Sequence, residues 1–191
     1  MALNPIRLTD ELTRLPNRKA FLELLPRVIS AEQKFNSSFA LLVIDISRFH
    51  RINRIYGYEV GDFILQKITD LLNTVRRKQD HLCRIGDNRF ALILEDLMNI
   101  GHAELAAQKV LRLLEPPFLT EKSKISVECT IGIVMFPDQA NTTERLMKTA
   151  EDLLYQARKN GNKIGISRDV VRSKEMSEFW DVELGLQSVI E

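Results

Sequence analysis

The stretch SSFALLVIDI, Ser37 to Ile46, constrains the fold more than any other part of the chain. Its apolar residues run on without polar alternation over the length of one strand. Such a run suits a strand covered on both faces, because a strand with one wet face alternates with period two.

The segments around it supply the covering layers. LTDELTRLPNRKAFLELLPRVISAEQKF offers cap candidates and then apolar residues at helical spacing: Phe21, Leu24, Leu25, Val28 and Ile29. From Val60, the residues Phe63, Ile64, Ile68, Leu71, Leu72 and Val75 recur at the same period, predicting a helix that ends near Lys78. HLCRIG and RFALILED predict two strands meeting at a polar tip of Gly86, Asp87, Asn88 and Arg89. A helix from about His102 to Leu114 stops at Pro116-Pro117. KISVECTIGIVMFP reads as one long strand, bent at Gly132, and a helix over Thr143 to Lys159 closes at Asn160-Gly161. KIGIS makes a short last strand. Strand, helix, strand, strand, helix, strand is the split, ferredoxin-like order, here extended by one helix and one strand. The expected class is α/β, with a central, mainly antiparallel sheet flanked by helices.

Bulk properties exclude several roles. A net charge of +1 over 191 residues offers no field for nucleic acid. Cys83 and Cys129 lie inside apolar stretches, so buried thiols in a reducing cytoplasm are expected rather than a disulfide. The longest apolar run is too short to span a bilayer and the N-terminus carries no signal-peptide pattern, although a longer parent protein could be membrane-tethered. His81 and His102 have no partner at metal-ligand spacing.

Five motifs then fall in a telling order: DELTRLPNR (Asp10 to Arg18), DISRFHRINRIYGYEVGD (Asp45 to Asp62), RIGDNRFA, TIGIVMFP and AEDLLYQARKNGN. In this order they resemble the GGDEF domain, the diguanylate cyclase family, which joins two GTP molecules into cyclic di-GMP on a nucleotide-cyclase palm. The resemblance covers residues 8–167. Residues 168–191 resemble the linker helix that leads from such a domain into an EAL phosphodiesterase domain, with Phe179 and Trp180 expected to pack it against a neighbour.

The resemblance also implies a site, and the site is eroded. The family signature Gly-Gly-Asp/Glu-Glu-Phe aligns with Gly86, Asp87, Asn88, Arg89 and Phe90, keeping only the first Gly and the Phe. The reaction needs Mg²⁺, a hard ion that takes carboxylate oxygens. Asp45 matches the first metal ligand, but the second is the neutral amide of Asn88, and Arg89 sets a cation where the metal belongs. A +1 and a +2 charge about 6 Å apart, at an effective dielectric of about 20, repel by roughly 5 kcal/mol before screening. Asp87 replaces a Gly whose backbone lies close to nucleotide, and Ser47 replaces a further Asp. Among the phosphate contacts, Arg158 keeps a charge, while Asn162 and His50 replace an Arg and a Lys. An inert turn is the better reading of the tip, since Asp and Asn serve turns without chemical duty.

Other matching positions survive. Asn53 and Asp62 match guanine-binding residues; the alternative is that Asp62 caps a helix and Asn53 belongs to the preceding turn. Arg77 and Asp80, in RKQD, stand in the register of the family's inhibitory site for cyclic di-GMP, where an Arg and a carboxylate can read guanine. Their alternative is a basic helix end followed by loop polarity. The expectation is therefore a catalytically silent GGDEF domain acting as a regulatory module. Cyclic di-GMP, weakly held GTP, a tethered EAL domain and a second copy of the chain are its expected partners. No cofactor is expected, and Mg²⁺ only with residual cyclase activity. The rivals are a weak cyclase running on Asp45 alone and a scaffold that binds no nucleotide.

Overall fold

The computed structural model describes residues 8–167. A loop closed by a bridge between Thr9 and Pro16 leads into helix α1 (Arg18–Phe35), whose first turn is capped by the Asn17 side chain accepting from the Ala20 N–H. Strand β1 (Phe39–Ile46) is followed by helices α2 (Phe49–Tyr56) and α3 (Tyr58–Asn73), then by the hairpin of β2 (His81–Arg84) and β3 (Arg89–Leu94). After helix α4 (Ile100–Leu114), the short strands β4 (Phe118–Leu119) and β5 (Lys124–Ile125) pair only with each other. Strand β6 (Cys129–Phe136), helix α5 (Thr143–Lys159) and strand β7 (Ile164–Ile166) complete the described chain.

The main sheet runs β2-β3-β1-β6-β7, antiparallel throughout except for the β6–β7 pair. All eight residues of the central β1 are buried. Ala40, Leu42, Ile44 and Ile46 join the core beneath α3 and α4, while Phe39, Leu41 and Val43 join the core beneath α1 and α5. Fully burying a side chain of this size contributes about 1.5–3 kcal/mol, so a strand covered on both faces is strongly held. The α/β class and the flanked, mainly antiparallel sheet are as expected.

Period two carries Asp45 to the α5 side, the same side as Val43. Helix α5 comes unusually close there. A Cβ on Gly132 would stand 2.6 Å from the Ala150 carbonyl oxygen, and one on Gly165 would stand 2.1 Å from that of Leu153. These two glycines are neighbours across the β6–β7 pair and form a flat seat for the helix backbone. Gly132 therefore admits the helix backbone, while the pairing of β6 with β1 runs through it unbroken.

Other boundaries differ from expectation. Helix α2 was not anticipated, because only Phe49 and Ile52 mark its buried face. Helix α3 begins at Tyr58 and ends at Asn73, short of Lys78, with Thr74 and Val75 closing tighter bonds to Leu71 and Leu72. The single long strand is two, since Thr120 and Ser123 turn β4 back on β5 and the backbone at Glu128 accepts from the Ser47 N–H. Helix α4 starts at Ile100 rather than His102. The linker helix, Phe179 and Trp180 lie outside the described residues.

Candidate functional site

The ends of β1 and β6, the β2–β3 turn, the N-terminus of α2 and the C-terminus of α5 surround a cleft of about 850 Å³. Asp45 stands at its floor with only 4% of its surface exposed. The antiparallel register sets Asp45 opposite both Arg89 on β3 and Thr130 on β6. Directly opposed residues share a face, with their Cβ atoms within about 5.5 Å. With two acids and one base at this end of the sheet, charge predicts that Arg89 pairs with Asp45 or Asp87 in place of a metal; the partner is Asp45, to whose Oδ2 Arg89 Nε donates at 2.5 Å.

Asp45 has two further partners. Arg158 Nη2 lies 2.5 Å from Oδ1, and the Asn88 amide donates to the same oxygen at 3.3 Å. That amide also donates to the Ile46 carbonyl at 2.7 Å, pinning the turn to the end of β1. Arg89 Nη1 in turn donates to Glu151 on α5 at 2.6 Å. Glu151 and Arg158 are seven residues apart, about two helical turns, so both project from one side of α5. The result is a chain of two acids and two arginines, running Arg158–Asp45–Arg89–Glu151.

Mg²⁺ seeks several oxygen ligands in near-octahedral geometry. Here both oxygens of Asp45 already accept from cationic or amide donors, and no group of three His, Cys, Asp or Glu side chains at metal-binding spacing occurs among the described residues. The donor set does not fit a divalent cation. No step through a metal can be written with these residues as they stand.

The turn itself is supported from below. Arg84 donates from Nε to the Gly86 carbonyl at 3.2 Å, from Nη2 to the Asp87 carbonyl at 2.7 Å, and from Nη1 to Asp10 at 3.0 Å. Burial raises the Asp10 carboxyl, but bonds from the Thr13 hydroxyl and N–H and the Arg84 guanidinium outweigh it and hold Asp10 below the usual carboxylate range. Phe90 is fully buried and belongs to the core. The thiols of Cys83 and Cys129 are pushed up by burial to about 11 and about 12, so both are inert. At Cys129, the Lys163 charge lowers the value and Asp45 raises it, placing both charges in reach of the cleft floor.

The remaining sequence candidates separate. Ser47, His50, Asn53, Asp87 and Asn162 line the cleft, but Asp62 does not. Asn53 lies in α2, and its buried Oδ1 has no hydrogen-bond partner; a Cβ at Gly61 would come within 1.9 Å of it. Asp62 is an exposed residue inside α3, so the capping alternative fails. Asp80 is not exposed loop polarity: its side chain is wholly buried, accepting from the Arg77 N–H at 2.6 Å and the Glu95 N–H at 3.2 Å. The Arg77 side chain is 51% exposed, with Nε 4.0 Å from Asp80.

Sequence reasoning missed Arg48, Arg84, Glu151 and Lys163. The seven-residue spacing of Glu151 and Arg158 was the one available signal. Arg48 adopts a left-handed conformation with φ of 53°, which costs a side-chain-bearing residue about 1–2 kcal/mol and leaves no mark on sequence.

Comparison with known proteins agrees with this fold. MucR of Pseudomonas aeruginosa, a bifunctional diguanylate cyclase/cyclic di-GMP phosphodiesterase, is 29% identical over 82% of this chain and 23% of its own length. The diguanylate cyclase TpbB of the same species is 32% identical over 78% of this chain and 35% of its own. The chain thus spans about a quarter to a third of these relatives. The crystal structure of the GGDEF domain of YfiN (TpbB) superposes with a TM-score of 0.76 at 29% identity, covering 81% of this chain and 99% of that one. The family described as "Diguanylate cyclase, GGDEF domain" matches residues 7–163. The chain therefore belongs to the GGDEF domain family.

Proposed function

We propose that this GGDEF domain forms no cyclic di-GMP and serves as a regulatory, nucleotide-binding module in cyclic di-GMP signalling, within a longer protein that carries an EAL domain. One observation carries the reading: the carboxylate at the end of β1 is held by Arg89 and Arg158, where metal-dependent phosphoryl transfer would need it free. The signature remnant, Gly86 to Phe90, offers Asn88 and Arg89 in place of acids. The relatives named above are a diguanylate cyclase and a bifunctional diguanylate cyclase/cyclic di-GMP phosphodiesterase. Residues 168–191 would lead to the second domain.

Cyclic di-GMP would meet the domain at Arg77, whose exposed guanidinium can pair with guanine or stack on it. Asp80 acts through the turn it holds, since no ligand reaches its buried carboxylate. That same burial favours a second reading, in which the turn is purely structural and the domain is a scaffold that pairs with a second copy.

The test is incubation of the chain with GTP and Mg²⁺ or Mn²⁺ at high protein concentration, with product measured by chromatography. No cyclic di-GMP is expected. Steady turnover abolished by Asp45→Ala would reject the proposal. Calorimetry with cyclic di-GMP separates the two silent readings: binding lost in Arg77→Ala supports the module, and no heat at near-millimolar ligand supports the scaffold.

A further inference from the structure

We infer that the cleft above Asp45 holds a phosphate chain, such as that of a guanine nucleotide, with arginine and lysine alone and no divalent ion, and that Asp45 opposes this binding. The inference rests on the nucleotide-binding role proposed above and adds its electrostatic basis.

Four cations line the cleft: Arg48 from the β1–α2 junction, Arg89 from β3, Arg158 from α5 and Lys163 from the approach to β7. Its volume of about 850 Å³ suits a ligand of nucleotide size. Arg89 and Arg158 are engaged by Asp45 and Glu151. Among the described residues, neither Arg48 nor Lys163 has a carboxylate at ion-pair distance. Arg48 also holds its left-handed backbone at the mouth of the cleft, and such conformations gather at ligand-binding segments. Nearby, the unpartnered Oδ1 of Asn53 leaves a polar atom unsatisfied.

Guanidinium groups bind phosphate oxygens in two-pronged fashion, as they bind carboxylates. Arg48 and Lys163, both exposed, are open to a phosphate chain in the cleft. Such a chain competes with Asp45 for Arg158 and Arg89, whose side chains are 42% and 34% exposed and so can turn toward it. Asp45 is left as a like charge beneath the phosphates. This reverses the sign expected of a metal site: there the aspartate draws the nucleotide in through the ion, and here it repels it.

The sign of that effect is measurable. Binding of GTP, ATP and inorganic tripolyphosphate to the 191-residue chain is followed by calorimetry, in EDTA and in excess Mg²⁺. GTP is expected to bind in EDTA at least as tightly as in Mg²⁺. Asp45→Asn, close in shape to the original, should tighten binding about fivefold or more, while Arg48→Ala and Lys163→Ala each weaken it about fivefold, the scale of a single partly screened ion pair. Tripolyphosphate should show the same signs, and a preference for GTP over ATP and tripolyphosphate would identify the nucleotide as the ligand. GTP binding that requires Mg²⁺ overturns the inference, as does its loss in a folded Asp45→Asn variant. Absence of binding by GTP and tripolyphosphate under both conditions overturns it too. The comparison of EDTA with Mg²⁺ on the unaltered chain decides the matter even if a variant fails to fold. None of these outcomes bears on the loss of cyclase activity, which falls only if cyclic di-GMP is made.

Discussion

Asp45 and Asp80 are both almost wholly buried, at 4% and 1% exposure, and both sit where the family resemblance places a functional acid. They are held in opposite ways. Asp80 accepts from two main-chain N–H groups, those of Arg77 and Glu95, which come from either side of the β2–β3 hairpin. Asp45 accepts from three side chains, two of them arginines that reach solvent. Main-chain donors cannot leave without unwinding the turn, whereas an arginine at the cleft edge can swing to another anion. One carboxylate is therefore part of the frame, and the other belongs to an exchangeable set of charges.

The contrast is most exposed to test at Asp80. Asp80→Ala leaves two main-chain N–H groups without their charged acceptor, and each such bond contributes about 1.5–3 kcal/mol, so a loss of about 3 kcal/mol is expected in urea denaturation. A loss below about 1 kcal/mol would show that water replaces the carboxylate and that Asp80 is no part of the frame.

Asp45→Ala should cost less, about 1–2 kcal/mol, because the released Arg89 keeps Glu151 and Arg158 turns to solvent. A cost equal to that of Asp80→Ala would mean that the arginines are fixed as firmly as the backbone.

Asp10 sharpens the comparison, since it accepts from one main-chain donor, the Thr13 N–H, and from two side chains, the Thr13 hydroxyl and the Arg84 guanidinium. Its carboxyl is held below the ordinary value in the folded state despite the opposing effect of burial. A lowered folded value means that the contribution is present above the unfolded value, near pH 4, and is lost as pH falls through the folded one. The unaltered chain should exceed Asp10→Asn in stability at neutral pH, and the difference should shrink as pH falls below the unfolded value. Parallel curves from pH 7 to 3 would remove Asp10 from the acid response.

Arg77→Ala should have the smallest effect on the fold, within about 0.5 kcal/mol, because half of its side chain is already in water. The same change should weaken cyclic di-GMP binding about tenfold, the discrimination a two-pronged Arg–guanine contact supplies. A large stability loss would transfer Arg77 to the frame beside Asp80.

Much of this was legible before any coordinates. Phe21, Leu25, Val28 and Ile29 announce α1, because one-sided burial writes its period into the residues, and Thr143 to Lys159 with Asn160-Gly161 behind them announce α5. The approach of Arg89 to Asp45 was expected from charge alone. The burial of Asp80 was hidden, because a carboxylate beside Arg76, Arg77 and Lys78 reads as a solvated loop and its partners are main-chain groups with no residue identity. Helix α2 was hidden by its brevity. Glu151 was hidden because its partner lies 62 positions away.

The sequence alone determined most of the elements, the doubly covered strand and the stock of charges, since periodicity and turn chemistry act over a few residues. Only the tertiary structure decided which charges meet. The register of β1 against β3 sets Arg89 across from Asp45, and the glycine seat at Gly132 and Gly165 lowers α5 until Arg158 reaches Asp45 and Glu151 reaches Arg89. A shift of one residue in that register would turn Asp45 and Arg89 to opposite faces of the sheet. Register and helix depth follow from how both cores fill, a property of the whole chain that no local stretch encodes.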